Sequence, residues 1–167
     1  SPGFVVVADF NADGKQDLAV GDTRDGITLA LGNGTGEFTT APGERFLPFA
    51  EIRSLSVGDF DGDGTPDLAA VYAGGFHVLL SDGTGGFPRW SDFAPVPLDS
   101  TLPLAAASGD FNADGKADIA VPASSGGHVS VLLGDAVSTV SSLHATPGTT
   151  VAFGTPIRLT LLVSGVT

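Results

Sequence analysis

One twelve-residue phrase is written three times in this chain, and no other feature constrains the fold as strongly. "DFNADGKQDLAV" (9–20) returns as "DFDGDGTPDLAA" (59–70) and "DFNADGKADIAV" (110–121), at offsets of 50 and 51 residues. Small and apolar residues precede each copy: "VVVA", "LSVG" and "AASG". A Gly-containing gap and a second apolar run follow: "GITLALG" (26–32), "GFHVLLS" (75–81) and "GHVSVLLG" (127–134). Two copies then carry matched turns, "NGTGEF" (33–38) and "DGTGGF" (82–87), where the third reads "DAVSTV" (135–140). Self-similarity at such a period marks a repeat architecture, in which each unit buries its apolar faces against its neighbours.

Each unit reads as strand, acidic loop, strand, Gly turn, strand, Gly-rich turn and a weaker last strand. In the first unit the strands are expected near 4–8, 17–21, 27–32 and 45–49. The apolar runs are short and rich in Val, Leu and Ala, with no long helical period. The chain's 24 Gly suit tight turns, because Gly reaches positive φ without steric cost. Four short strands in one such unit are the signature of a propeller blade. The expected fold is therefore all-β. It is a partial β-propeller of three four-stranded blades over residues 1–140 (about 1–50, 51–101 and 102–140) with a C-terminal strand extension over 141–167. Three blades would leave open sheet edges, which invite pairing with other chains. The extension has no acidic loop and alternates Thr, Val, Leu and Ile. It is expected to begin a further domain or to cross to another subunit as an added strand.

The acidic loops carry the chemistry. Counting from the first Asp, positions 1, 3, 5 and 9 are Asp9, Asn11, Asp13 and Asp17 in the first copy. They are Asp59, Asp61, Asp63 and Asp67 in the second, and Asp110, Asn112, Asp114 and Asp118 in the third. Position 6 is Gly in all three. Position 7 (Lys15, Thr65, Lys116) is expected to offer its backbone carbonyl, with the Lys side chains pointing away. These are hard oxygen donors around a small loop, the set that calcium prefers. The spacing matches the front of a helix–loop–helix calcium site. That site needs a bidentate Glu at position 12, which is Val20, Ala70 and Val121 here. A strand follows position 9 instead of a helix, and Pro66 precedes the last donor of the second loop. Asp, Asn and Gly are also ordinary turn residues. However, three or four mutually repelling acids in nine residues cost stability without a cation, and this chain repeats the arrangement three times. About three calcium ions are expected, one per loop, in a structural role.

Charge supports this reading. The formal net charge is −12, and ten of the 19 Asp and Glu residues fall in the three loops. The seven Lys and Arg are scattered, which argues against nucleic acid and anionic membranes as partners. No apolar run approaches the roughly 18 residues that span a bilayer. With no Cys, neither disulfides nor thiolate metal sites can form. The chain starts at Ser1 with no signal peptide, as expected of a processed product or of part of something longer.

At these loops the chain resembles FG-GAP/VCBS repeats, the blade units of integrin α-subunit-type β-propellers. In that family a D-x-[DN]-x-D-G-x-x-D loop joins the first two strands of a blade and binds calcium. The resemblance covers residues 1 to about 135. Its "FG" and "GAP" elements are degenerate here ("GDT" at 21–23, "VYA" at 71–73, "VPA" at 121–123). The tail stretch "VAFGTPIRLTLLVSG" is similar to the first strands of bacterial Ig-like repeat domains. The resemblance implies a calcium-binding, structural or adhesive module of a secreted or cell-surface protein from a bacterium. The open sheet edges and the tail make other copies of itself, in an oligomer or filament, or other extracellular proteins the expected partners. Lectins and accessory modules of secreted carbohydrate enzymes share the fold, so carbohydrate is the alternative ligand.

No catalytic constellation is present, and a non-enzymatic role is expected. His77, His128 and His144 have no convergent acids, and no G-x-S-x-G elbow occurs. Trp90, flanked by Phe87, Arg89 and Phe93, is expected to pack between blades more readily than to stack on a ligand. Asn33-Gly34-Thr35 fits a glycosylation sequon, but turn chemistry explains it better, since Asp82 occupies the same place in the second copy.

Overall fold

The computed structural model describes residues 2–41, 45–48, 50–72, 75–91, 105–122, 128–134, 142–145 and 158–162. The described chain is all-β, built as three sheets. The first sheet runs in order β1 (Pro2–Ala8), β2 (Asp17–Asp22), β3 (Gly26–Gly32) and β4 (Phe38–Thr40), each strand antiparallel to the next. The second repeats it with β5 (Ile52–Gly58), β6 (Asp67–Tyr72), β7 (Gly75–Leu80) and β8 (Arg89–Ser91). In both sheets the acidic loop joins the first two strands, as the sequence predicts. The strands are arranged as three stacked sheets, and the described residues form no closed ring.

The third sheet departs from the expected pattern. Among the described residues its repeat supplies three strands, β9 (Ala107–Gly109), β10 (Asp118–Pro122) and β11 (His128–Leu132). The place beside β11 is taken by β13 (Arg158–Leu162) from the tail, antiparallel, with β12 (Ser142–Ala145) parallel to it on the outside. The sheet thus has five strands, and the tail adds to its own chain. The turn motif of the first two repeats is missing after β11, and the next described strand, β12, pairs with β13 and not with β11.

The fourth strand of the first sheet also differs from its expected place at 45–49. Asn33 closes a tight turn by donating its N–H to the Glu37 carbonyl at 3.1 Å. Its side-chain oxygen accepts from the Thr35 N–H (2.8 Å) and hydroxyl (2.7 Å). The chain therefore returns at once, and Phe38 pairs with Gly32. Further along the same edge, Ile27 and Phe46 exchange two backbone hydrogen bonds. The edge of β3 is thus met twice: by β4 at its end, where no strand is expected from the sequence, and by Phe46, within the expected 45–49, at its start. Asp82 builds the second turn with the same bonds to Thr84, which confirms turn chemistry at Asn33.

The sheets stack face to face, with β5 packed between β1 and β9. β2 alternates buried and part-exposed side chains, whereas β6 is buried from Asp67 to Val71, so the second sheet is covered on both faces. Alternate β6 residues enter two cores. Leu68 and Ala70 join Phe10, Ile27, Leu29 and Leu79 between the first two sheets. Ala69 and Val71 join Phe60, Val78, Ile119 and Val121 between the second and third. Phe87 closes the first core, meeting Phe10 and Phe46 edge-to-face at 5.7 and 5.0 Å.

Gly26 opens β3 at φ +80°, and a Cβ there would lie 2.3 and 2.5 Å from the Leu47 and Phe46 carbonyl oxygens. Gly26→Ala is expected to cost more than about 2 kcal/mol, combining a left-handed backbone with a clash against main chain. A melting temperature within error of the parent would contradict this packing.

Candidate metal centre

The fifteen predicted donors all fall in the three β-hairpin loops: 9–17 between β1 and β2, 59–67 between β5 and β6, and 110–118 between β9 and β10. Each loop is a chain of turns closed by its own side chains. Asp9 accepts from the Asp13 N–H (3.1 Å) and the Gly14 N–H (2.7 Å). Asp59 accepts from Gly62, Asp63 and Gly64, and Asp110 from Asp114 and Gly115. The position-3 side chains Asn11, Asp61 and Asn112 each accept from the backbone two residues on. Asp13, Asp63 and Asp114 do the same for Lys15, Thr65 and Lys116. These side chains satisfy N–H groups that a sharp turn would otherwise leave unpaired. Position 6 needs its Gly, with φ of +81° at Gly14, +88° at Gly64 and +89° at Gly115. Position 4 is left-handed too, as Ala12, Gly62 and Ala113. The two Ala residues there hold a conformation that costs about 1–2 kcal/mol.

The last donor of each loop does something the spacing does not reveal. Asp17, Asp67 and Asp118 have no solvent exposure. Each binds two backbone N–H groups, one per carboxylate oxygen. Asp67 takes Phe60 at 2.9 Å and Ser81 at 2.8 Å. Asp17 takes Phe10 (3.0 Å) and Gly32 (2.8 Å), and Asp118 takes Phe111 (2.8 Å) and Gly134 (2.7 Å). The carboxylate thus ties the start of its loop to the end of the third strand. The available signal is the recurring Phe at position 2, an apolar residue amid acids, which marks where the loop turns into the core.

Asp59, Asp61 and Asp67 each present an oxygen within 4.8 Å of the other two, a group that could hold a metal ion. Among the described residues no other set of three His, Cys, Asp or Glu side chains converges so closely. The difference lies in position 3, which is Asn in the other two loops. Local cations and amides also engage position 5. Lys15 bridges to Asp13 at 3.2 Å, and the Asn112 amide donates to Asp114 at 2.7 Å. This corrects the expectation that Lys15 points away: the acid density of the loop draws the ammonium back across it, its stem lying over Gly34.

Burial pushes the Asp67 carboxyl up to about 6, with the charges of Asp61 and Asp63 adding to the rise and the Ser81 and Phe60 N–H bonds opposing it. Asp118 is raised for the same reasons, burial first and then Asp114 and Asp110. Asp114 itself is lowered, chiefly by the Lys116 N–H. Buried acids raised by neighbouring acids are a site that lacks positive charge. The donor set fits a hard divalent cation, with Asp59, Asp61 and Asp67 as its holders in the second loop.

His77 stacks on Tyr72 with ring centroids 5.1 Å apart and shares a 3.0 Å hydrogen bond with its hydroxyl, a satisfied structural role. Trp90 lies on β8 opposite Leu79. Phe93 lies outside the described residues, as does any site it would form with Trp90. No helix among the described residues is long and apolar enough to cross a membrane.

No curated protein matches the chain. A profile of the FG-GAP-like repeat matches residues 9–70 and again 59–121. Both spans run from one acidic loop through the next and overlap at 59–70, so each takes in parts of two successive sheets. Together they cover well over half of the 167 residues, and the chain belongs to the FG-GAP-like repeat family.

Proposed function

We propose that this chain is a non-enzymatic, calcium-binding structural and adhesive module of a secreted or cell-surface protein, its sheets acting as blades of a partial propeller. The carrying observation is the convergence of Asp59, Asp61 and Asp67 around a carboxylate that is wholly buried. Burying that charge among other acids is costly unless a cation completes the group. The other two loops keep the same closure and the same buried Asp, which supports one calcium per loop and about three in all. The holders are Asp9, Asn11, Asp13, Lys15 (carbonyl) and Asp17, with the corresponding residues of the loops at 59 and 110. Extracellular calcium modules work at about 10⁻⁴–10⁻³ M. At tenfold excess each site adds about 1.4 kcal/mol, and three add around 4 kcal/mol. The chain's partners are copies of itself or other extracellular proteins, met through open sheet surfaces. Family membership supports the extracellular placement.

Calorimetric titration of the EDTA-treated chain with calcium is expected to show about three sites and a rise in melting temperature. No binding heat, together with a melt that EDTA does not change, would end this reading.

A further inference from the structure

Exposed apolar side chains on the outer faces of the first and third sheets match the two halves of an interface this chain already makes twice. Counting back four residues from the first Asp of each loop aligns Val5, Leu55 and Ala106. Leu55 is buried in the core between the first two sheets, and Ala106 packs against the core between the second and third. Val5 is 59% exposed. One residue past the buried Asp, Leu68 and Ile119 are likewise in those cores, whereas Leu18 at the same place is only part-buried. Val5 pairs with Val20 and Val7 with Leu18, so the four form one apolar patch on the outer face of the first sheet. At the other end, position 2 of the loops is Phe10, Phe60 and Phe111. The first two are 0% and 1% exposed beneath the following sheet, and Phe111 is 55% exposed.

We propose that copies of this chain associate head to tail, the Phe111 face of the third sheet of one seating on the Val5–Val7–Leu18–Val20 face of the first sheet of the next. The interior of the stack supplies the pattern for this contact. The second sheet meets the first, and the third meets the second, through these same positions, so a bare receiving face and a bare Phe face on one molecule are complementary by construction. Neither group of named residues carries a charge, although the chain's net charge is −12. Contiguous exposed apolar surface of this kind marks an association site. A contact between different faces is heterologous; it builds rings if the rotation closes and open filaments if it does not. The sheet faces, rather than the edges, are the assembly surface. This rests on the self-association reading above and not on calcium.

The test uses sedimentation velocity at fixed calcium over a range of concentrations, with Val5→Asp and Phe111→Ser. The wild-type chain is expected to grow beyond a dimer. Val5→Asp, which would bury an unpaired carboxylate, should weaken association on the order of a hundredfold. Phe111→Ser should do likewise from the other end. Each variant keeps one intact face, so a mixture of the two should form a one-to-one dimer and stop there. That complementation also shows that both variants are folded. Wild-type association unchanged by either variant would overturn the face assignment while leaving self-association standing, and so would a single variant that dimerises alone. A wild-type chain that stays monomeric at every concentration would overturn both.

Discussion

Asp67→Ala is expected to cost about 3–5 kcal/mol even in EDTA, where no calcium can be lost. Alanine at this position removes the acceptor for two backbone N–H groups, those of Phe60 and Ser81, at a point with no access to water. Phe60 is a core residue of the second interface, so the loop and the packing it anchors would loosen together. The loss is a large part of a typical domain's stability margin. In a chain of this length it should lower the melting temperature by on the order of 10 °C. Asp67→Asn keeps one acceptor oxygen and turns an amide towards the other N–H, so an intermediate loss is expected. Asp61→Asn is the contrasting change. It takes a carboxylate from the metal group and leaves the oxygen that serves the Asp63 N–H, as Asn11 does in the first loop. Its metal-free melt should match the parent within about 0.5 kcal/mol while its calcium affinity falls. If Asp67→Ala melts like the parent in EDTA, the buried Asp is a ligand only and the tie between loop and third strand carries no weight.

The contrast between these two aspartates marks what could be read in the sequence and what could not. The threefold spacing located every loop and nearly every strand, because the period-2 apolar runs and the D-x-[DN]-x-D-G-x-x-D pattern are local signals. The buried role of Asp17, Asp67 and Asp118 is a long-range fact, since Gly32, Ser81 and Gly134 lie about fifteen residues downstream and no local pattern pairs them. The misplaced fourth strand has the same origin. Apolar character alone favoured 45–49, while the bonds of Asn33 decided where the chain turned. Sheet contacts between repeats were also invisible. Ala117 donates to the Asp59 carbonyl at 2.8 Å, tying the third loop to the second. The first and second loops cannot copy this bond, because position 8 of the second is Pro66 and has no N–H. There the Gly85 N–H reaches the Phe10 carbonyl at 3.0 Å instead. One substitution in a near-perfect repeat thus changes which turn holds two sheets together.

The melting temperature is expected to respond to pH in opposite directions with and without calcium. In EDTA, burial holds the folded Asp67 carboxyl up at about 6, against 3.8 for the free side chain, and Asp118 is raised as well. Between those values the folded chain binds more protons than the unfolded one, so stability falls as pH rises and is gained on acidification from pH 7 towards 5. For Asp67 the full difference is worth at most about 3 kcal/mol. Relief of repulsion in a chain of net charge −12 acts in the same direction. The carboxyls held below their usual range, Asp13, Asp22, Asp82 and Asp114, stabilise the fold above 3.8 and lose that contribution only at lower pH, outside this window. With saturating calcium the same buried carboxylates must be ionised to hold the metal, and protons compete with it. Acidification across pH 7 to 5 then removes calcium and lowers the melting temperature. Thermal melts at both pH values, each with EDTA and with excess calcium, give the four numbers needed. A slope of the same sign in both conditions would show that the raised carboxyls and the metal group are not the same site.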